Sequence, residues 1–76
     1  MIKNVIKNDN YEINIKDNFL HLINYINVLS ISGSKIIIEI KDNNLIIFGN
    51  NLMISALDEY ELIVRGIIKG IEFKNE

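Results

Sequence analysis

The fold is decided by the stretch LIIFGNNLMISAL, residues 45–57. Two apolar runs rich in Ile and Leu flank the segment Gly49, Asn50 and Asn51, and a further run starts at Glu61. Short runs of this kind, bounded by Gly and Asn, are typical of β-strands. Since Gly and Asn reach the left-handed backbone region that tight turns require, residues 49–51 are predicted to form a turn between two strands.

The segments before this stretch predict further strands. Residues 11–16 alternate apolar and polar side chains, which is the pattern of a half-buried strand. A turn is predicted at Gly33 between two serines, followed by a strand over residues 35–41. A hairpin turn is then predicted over residues 42–44, centred on Asn43, because Asp and Asn tolerate the positive φ of such turns.

Residues 19–29 fit two structures. Their apolar side chains recur at helical spacing, and Asn18 is a suitable helix N-cap. The same side chains also fall on the two faces of a strand, and every other segment is strand-like. We therefore favour a pair of strands, at about residues 19–24 and 26–32.

The last third of the chain predicts a strand whose inward side chains are Tyr60, Leu62 and Val64. Gly66 is predicted to mark a bend or bulge, because a glycine within a strand usually relieves a crowded or twisted spot. With turns roughly every eight to ten residues, the sequence predicts an all-β fold, a small antiparallel sandwich, roll or barrel of about six to eight short strands joined by tight turns. Residues 1–10 are expected to be a flexible lead-in, and residues 11–76 a single β domain.

Composition argues against several classes of function. The 76 residues include no Cys, which excludes disulfides and a thiolate nucleophile, and a net charge of −2 gives no reason to bind nucleic acid. The apolar runs are far shorter than the roughly 20 residues that span a bilayer. His21 is the only histidine, and no serine has a base-and-orienter pair. We therefore expect no enzymatic activity, no cofactor, no metal site and no direct membrane insertion.

Two consecutive patterns point to a known family. Residues 45–57 follow L-x-I-x-G-x-x-L-x-I-x-x-L, and residues 61–73 follow E-L-x-V-x-G-x-I-x-x-I-x-F. Together with residues 11–23, they resemble the YqfC branch of the YabP/YqfC family of sporulation proteins over nearly the whole chain. Two departures stand out: Asn43 replaces a glycine common in the family's hairpin, and Val28 and Ile31 are more apolar than the residues usual there.

The resemblance implies a function that composition does not. Members of this family are small non-enzymatic proteins of endospore-forming Firmicutes, made in the mother cell during spore development. The YqfC branch typically accompanies a larger membrane-associated sporulation protein. The expectation is therefore a cytoplasmic protein on the mother-cell side of the developing spore, with a protein partner.

Excess hydrophobicity gives a physical reason to expect such a partner. A small sheet needs one buried face, yet several strands carry apolar residues on both faces. A second apolar face or an uncharged open edge indicates a protein partner or a homo-oligomer. The candidate interaction surface comprises Ile37, Ile46, Phe48 and Ile63, together with an open edge strand. The alternative is a small β-barrel that binds a ligand or nucleic acid, which a concave, basic or aromatic-lined groove would favour.

Overall fold

All regular structure in the described part of the chain is β. The structure is a computed structural model, and it describes residues 11–16 and 18–75. Six strands form one antiparallel sheet in the order β1-β2-β6-β5-β4-β3. Their bounds are β1 (Glu12–Lys16), β2 (Phe19–Ile23), β3 (Asn27–Ile31), β4 (Lys35–Ile40), β5 (Asn43–Leu57) and β6 (Glu61–Lys74). The predicted flexible lead-in, residues 1–10, lies outside the described residues.

The sheet covers its own apolar face. No helix lies against it among the described residues, yet ten Leu, Ile and Val side chains form one cluster that is almost fully excluded from solvent. The fifteen residues of β5 would span about 50 Å if straight. The longest dimension of the molecule is 36 Å, so the strand must bend. The core consists of Leu20, Leu22, Ile36, Ile38, Ile40, Leu45, Ile47, Leu52, Leu62 and Val64.

The bend divides the sheet into two layers. The first layer contains β1, β2, residues 61–65 of β6 and residues 53–57 of β5. The second layer contains β3, β4, residues 43–48 of β5 and residues 67–74 of β6. Core residues of both layers belong to the same cluster, so the two inner faces pack on each other.

Two glycines make the bend possible. The pairing of β5 with β6 shifts register between Phe48 and Gly49 and again between Asn50 and Met53. A Cβ atom on Gly49 would collide with the carbonyl oxygen of Ile67. Gly66 has φ of 132°, a conformation that side chains rarely adopt, and its N–H donates a 3.2 Å hydrogen bond to the carbonyl of Asn18. The strands therefore approach one another here more closely than any other residue type would permit.

The structure confirms part of the predicted chain path. Residues 19–29 form two strands, not a helix, and Gly33 lies in the turn between β3 and β4. That turn is closed by the Ser32 N–H, which donates a 2.9 Å hydrogen bond to the carbonyl of Lys35. Gly66 marks a bulged bend within β6, as predicted.

Three local predictions are wrong. Gly49 does not lie in a turn, because β5 continues through residues 49–51 and bends there. The hairpin turn falls one residue earlier than predicted, since Asp42 has the positive φ and Asn43 already pairs with Ile40 as the first residue of β5. Tyr60 does not face inward; it lies at the tip of the β5–β6 hairpin with 62% of its surface exposed.

The connection between β2 and β3 ties the two layers together. The Asn24 N–H donates a 2.6 Å hydrogen bond to the carbonyl of Tyr60, which directly precedes the first-layer part of β6. The Ile26 N–H donates a 2.8 Å bond to the carbonyl of Glu39 in the second layer. Between them, the hydroxyl of Tyr25 donates a 2.6 Å bond to the carbonyl of Asp58 at the hairpin tip. Residues 24–26 thus hold the layers together away from the bend.

The hairpin tip contains a carboxylate that is stabilised in its charged form. Asp58 Oδ1 accepts 2.9 Å hydrogen bonds from the N–H groups of Tyr60 and Glu61. These two bonds lower the pKa of the Asp58 carboxyl; desolvation opposes the shift, and the electrostatic interaction with His21 adds to it.

A pair of glycine substitutions tests the bend. The Gly49→Ala variant should lose about 3 kcal/mol of unfolding free energy, because the added methyl group displaces the backbone of β6. Gly70→Ala in the same strand pair should be neutral or stabilising by about 0.5 kcal/mol, because its Cβ would meet no atom within 4 Å. Urea unfolding monitored by circular dichroism measures both. Equal effects of the two substitutions would contradict the close approach at Gly49.

The Asp58 hydrogen bonds predict a pH dependence. A carboxyl whose pKa is lower in the folded state stabilises the protein fully at neutral pH, and this stabilisation is lost as the pH falls below about 4. We expect the Asp58→Asn variant to lose less unfolding free energy than the parent between pH 7 and pH 3, measured by urea unfolding at each pH. The control is Glu59→Gln, which removes a carboxylate from the same turn and should retain most of the acid sensitivity. An unchanged pH profile in Asp58→Asn would refute the role of these bonds.

Candidate interaction surfaces

The four predicted interaction residues do not form one surface. Ile37 and Ile46 are direct cross-strand partners on the outer face of the second layer, and Phe48 follows two residues along β5. Ile63 lies in the first layer, directly opposite His21. Because the inner faces of the layers pack together, their outer faces point away from each other. Ile63 is thus separated from the other three.

The predicted second apolar face is also less exposed than expected. Ile46 is only 9% exposed, although it lies on the outer face. Its cross-strand neighbours are Ile37 of β4 and Glu72 of β6. Ile37 and Phe48 are half-buried, and the Lys35 ammonium lies 6.0 Å from the centre of the Phe48 ring. The apolar side chains of this face are therefore largely withdrawn from solvent in the single chain.

Other large apolar side chains are more exposed. They share exposed fractions near one half and lie at the sheet edges, the bend and the hairpin tip: Ile15, Ile26, Leu29, Ile31, Met53, Leu57, Tyr60, Ile67 and Phe73. Three of these, Ile26, Leu29 and Ile31, lie in or directly before β3. That strand is one of the two ends of the sheet order.

Among the described residues, no strand pairs with the outer edge of β3, and this edge carries no charged side chain. Residues 19–34 contain no Asp, Glu, Lys or Arg. Since Ser32 and Lys35 are hydrogen-bonded partners, the neighbouring Ile31 directs its N–H and C=O away from β4, towards the open edge. A register shift between Val28 and Ser30 makes Leu29 a bulge residue, and 49% of its surface is exposed.

The other edges are less suited to adding a strand. β1, at the opposite end of the sheet, carries Glu12 and Lys16, and charged side chains oppose edge pairing. Residues 53–57 of β5 lack charge, but register shifts before Met53 and after Ile54 interrupt their regular geometry. β3 is therefore the best candidate edge in the described part of the chain.

The outer face of the first layer carries charged groups held by cross-strand contacts. His21 Nε2 lies 2.7 Å from Glu61 Oε1, so the only histidine is engaged with a carboxylate on the neighbouring strand. The Arg65 guanidinium lies 5.5 Å from the centre of the Phe19 ring, its direct cross-strand neighbour. Sequence patterns did not identify this face, because its pairs come from distant parts of the chain.

The described residues show no cluster suited to metal binding. No group of three or more His, Cys, Asp or Glu side chains among them is placed to hold a metal ion. An open hollow of about 390 Å³ is lined by Ile26, Glu39, Ile40, Asp42 and Asn75. Its two carboxylates would repel phosphate groups. Across residues 11–16 and 18–75, no helix is long and apolar enough to cross a membrane.

Comparisons with known proteins add no further information. No family model, curated protein or solved structure matches the chain. The resemblance to the YabP/YqfC family and the function that it implies therefore remain predictions.

The different exposed fractions of Ile46 and Ile31 predict different losses of unfolding free energy when each side chain is truncated. Ile46→Ala should lower the unfolding free energy by about 2 kcal/mol or more, because it leaves a gap among side chains that exclude solvent. Ile31→Ala should cost less than about 1 kcal/mol, because the side chain is already 58% exposed. Chemical denaturation of both variants measures this difference. A larger loss for Ile31→Ala would show that Ile31 is packed and Ile46 is not.

Proposed function

We propose that this chain is a non-enzymatic protein-interaction module in endospore development, and that it binds its partner through the open edge of β3. The observation that carries the proposal is an edge strand that is free of charge, exposes Leu29 and Ile31, and directs backbone groups of Ile31 outward. An extended segment of another protein can pair with such an edge through main-chain hydrogen bonds.

The side chains of β3 would contribute specificity and affinity. Main-chain pairing is insensitive to sequence, whereas pockets for alternate side chains select one partner. Burying the exposed parts of Leu29 and Ile31 against a partner contributes about 25 cal/mol for each Å² of apolar surface. The chain departs from the YabP/YqfC pattern at Val28 and Ile31, which belong to this same strand. The greater apolar character therefore falls at the proposed contact.

The family resemblance supplies the biological setting of the proposal. It suggests a protein partner of the kind that accompanies the YqfC branch, a larger membrane-associated sporulation protein. The partner would be met in the cytoplasm on the mother-cell side of the developing spore. The resemblance also suggests that the chain acts by binding and catalyses no reaction.

The alternative function, a small barrel that binds a ligand or nucleic acid, has less support. The sheet ends at β1 and β3 and is not closed into a barrel. The hollow beside β4 is lined by Glu39 and Asp42, which disfavour a polyanion.

A substitution at the edge tests the proposed function. Ile31→Lys, introduced into the gene in its native host, should reduce the yield of heat-resistant spores to that of the deletion strain. The added ammonium would have to be desolvated next to any incoming strand, and lysine on an edge is a known barrier to strand addition. The measurement is the count of heat-resistant colonies after induced sporulation.

The matched control is Leu57→Lys, because Leu57 is 57% exposed and lies on a different edge. This variant should sporulate like the parent, and both purified variants should retain the parent's circular dichroism spectrum. Normal sporulation of the deletion strain would refute the role in spore development. Normal sporulation of Ile31→Lys together with a defective deletion strain would refute the β3 edge as the contact.

A further inference from the structure

The outer face of the first layer carries its positive charges at one end and its negative charges at the other. The strand registers arrange its side chains in three parallel rows that cross the strands. One end row is cationic, the middle row contains no Asp, Glu, Lys or Arg, and the other end row is anionic. The rows are Lys16–Phe19–Arg65–Met53, then Asn14–His21–Ile63, then Glu12–Ile23–Glu61.

The charges of the end rows are held on this face. Arg65 stacks over the ring of Phe19, and Glu61 contacts the His21 ring. Glu12 Oε2 accepts a 3.3 Å hydrogen bond from the side-chain amide of Asn14. Because the two end rows are four residues apart on each strand, the opposite charges lie about 13 Å from one another. The face is thus a small surface with one positive and one negative end.

We propose that this face binds a second copy of the same chain in a symmetric dimer. When two copies stack face to face about a twofold axis perpendicular to the strands, the cationic row of each lies over the anionic row of the other. Arg65 then faces Glu61 of the second copy, and Lys16 faces its Glu12. A twofold axis parallel to the strands would instead place like charges together, so the charge pattern selects one of the two arrangements.

Apolar side chains between the end rows supply the contact surface. Phe19, Ile23 and Ile63 are half-buried in the single chain, and Met53 is 55% exposed. Four strands spaced about 4.8 Å apart and five residues long give a face of roughly 300 Å². The area that two such faces bury together is below the roughly 1,200 Å² that stable interfaces bury. The dimer is therefore weak, and its formation depends on protein concentration.

The proposal is independent of the proposed function. The dimer face belongs to β1, β2 and the first-layer parts of β5 and β6, whereas the partner edge is β3 in the second layer. A dimer of this kind would leave both β3 edges accessible and would present two of them to a partner.

Charge reversal tests the dimer. Sedimentation equilibrium of the full chain should show a monomer–dimer equilibrium that weakens as salt is raised. The Arg65→Glu and Glu61→Arg variants should each dimerise about tenfold or more weakly, because each places like charges across the twofold axis in two places. An equimolar mixture of the two single variants should associate as well as the parent, since every facing pair is then opposite in charge. The double variant Arg65→Glu/Glu61→Arg should also regain dimerisation.

Recovery in the mixture shows that the single variants are folded and identifies which residues face each other. Lys74→Glu makes the same change of charge in the second layer and should leave the dimer unaffected. A parent chain that stays monomeric at every concentration and at low salt would overturn the proposal. A dimer that is insensitive to both reversals, or single variants that fail to associate when mixed, would equally overturn it.

Discussion

The fold depends on a sheet that has to bury its own apolar face. Six strands present a continuous set of Ile, Leu and Val side chains, and among the described residues no helix is available to cover them. The long β5–β6 pair must therefore bend so that its two ends face each other. The bend is permitted at Gly49 and Gly66, where the strands approach too closely for a side chain. Both layers, and hence both candidate surfaces, result from this one constraint.

The sequence predicted the strands well because their alternation is local. Ile36 and Ile38 on one face, with Ile37 between them, show the period of two that sets inward and outward directions. The error at Gly49 has a physical reason. A turn and a bulged bend make the same demand on the backbone, a residue with positive φ, and Asn51 meets it within a continuous strand. Which of the two forms depends on whether the flanking runs pair with each other or with a third strand.

The candidate surfaces were harder to predict because they depend on neighbours that are distant in sequence. Alternation indicated that Ile46 points outward, but it could not show that only 9% of its surface is exposed. The β3 edge did leave a signal in the sequence, namely the absence of charged residues over residues 19–34. A net charge counted over longer segments hides this signal, because positive and negative residues on either side cancel. The charge rows of the first layer left no signal in the sequence, because Lys16, Phe19 and Arg65 become neighbours only through strand pairing. The biological setting rests on resemblance.

The pairing of β2 with β6 also has a consequence for synthesis on the ribosome. His21 and Glu61 are 40 positions apart, so β2 is made long before its partner strand in the sheet. Chains emerge at roughly 5–20 residues per second, which leaves the uncharged segment before β4 without its final cover for seconds. During this interval the first layer cannot close, and the apolar strands are open to pairing with other nascent chains. Rapid formation of the local β3–β4 and β4–β5 hairpins would shorten that exposure, because neighbouring strands close in microseconds once both are available.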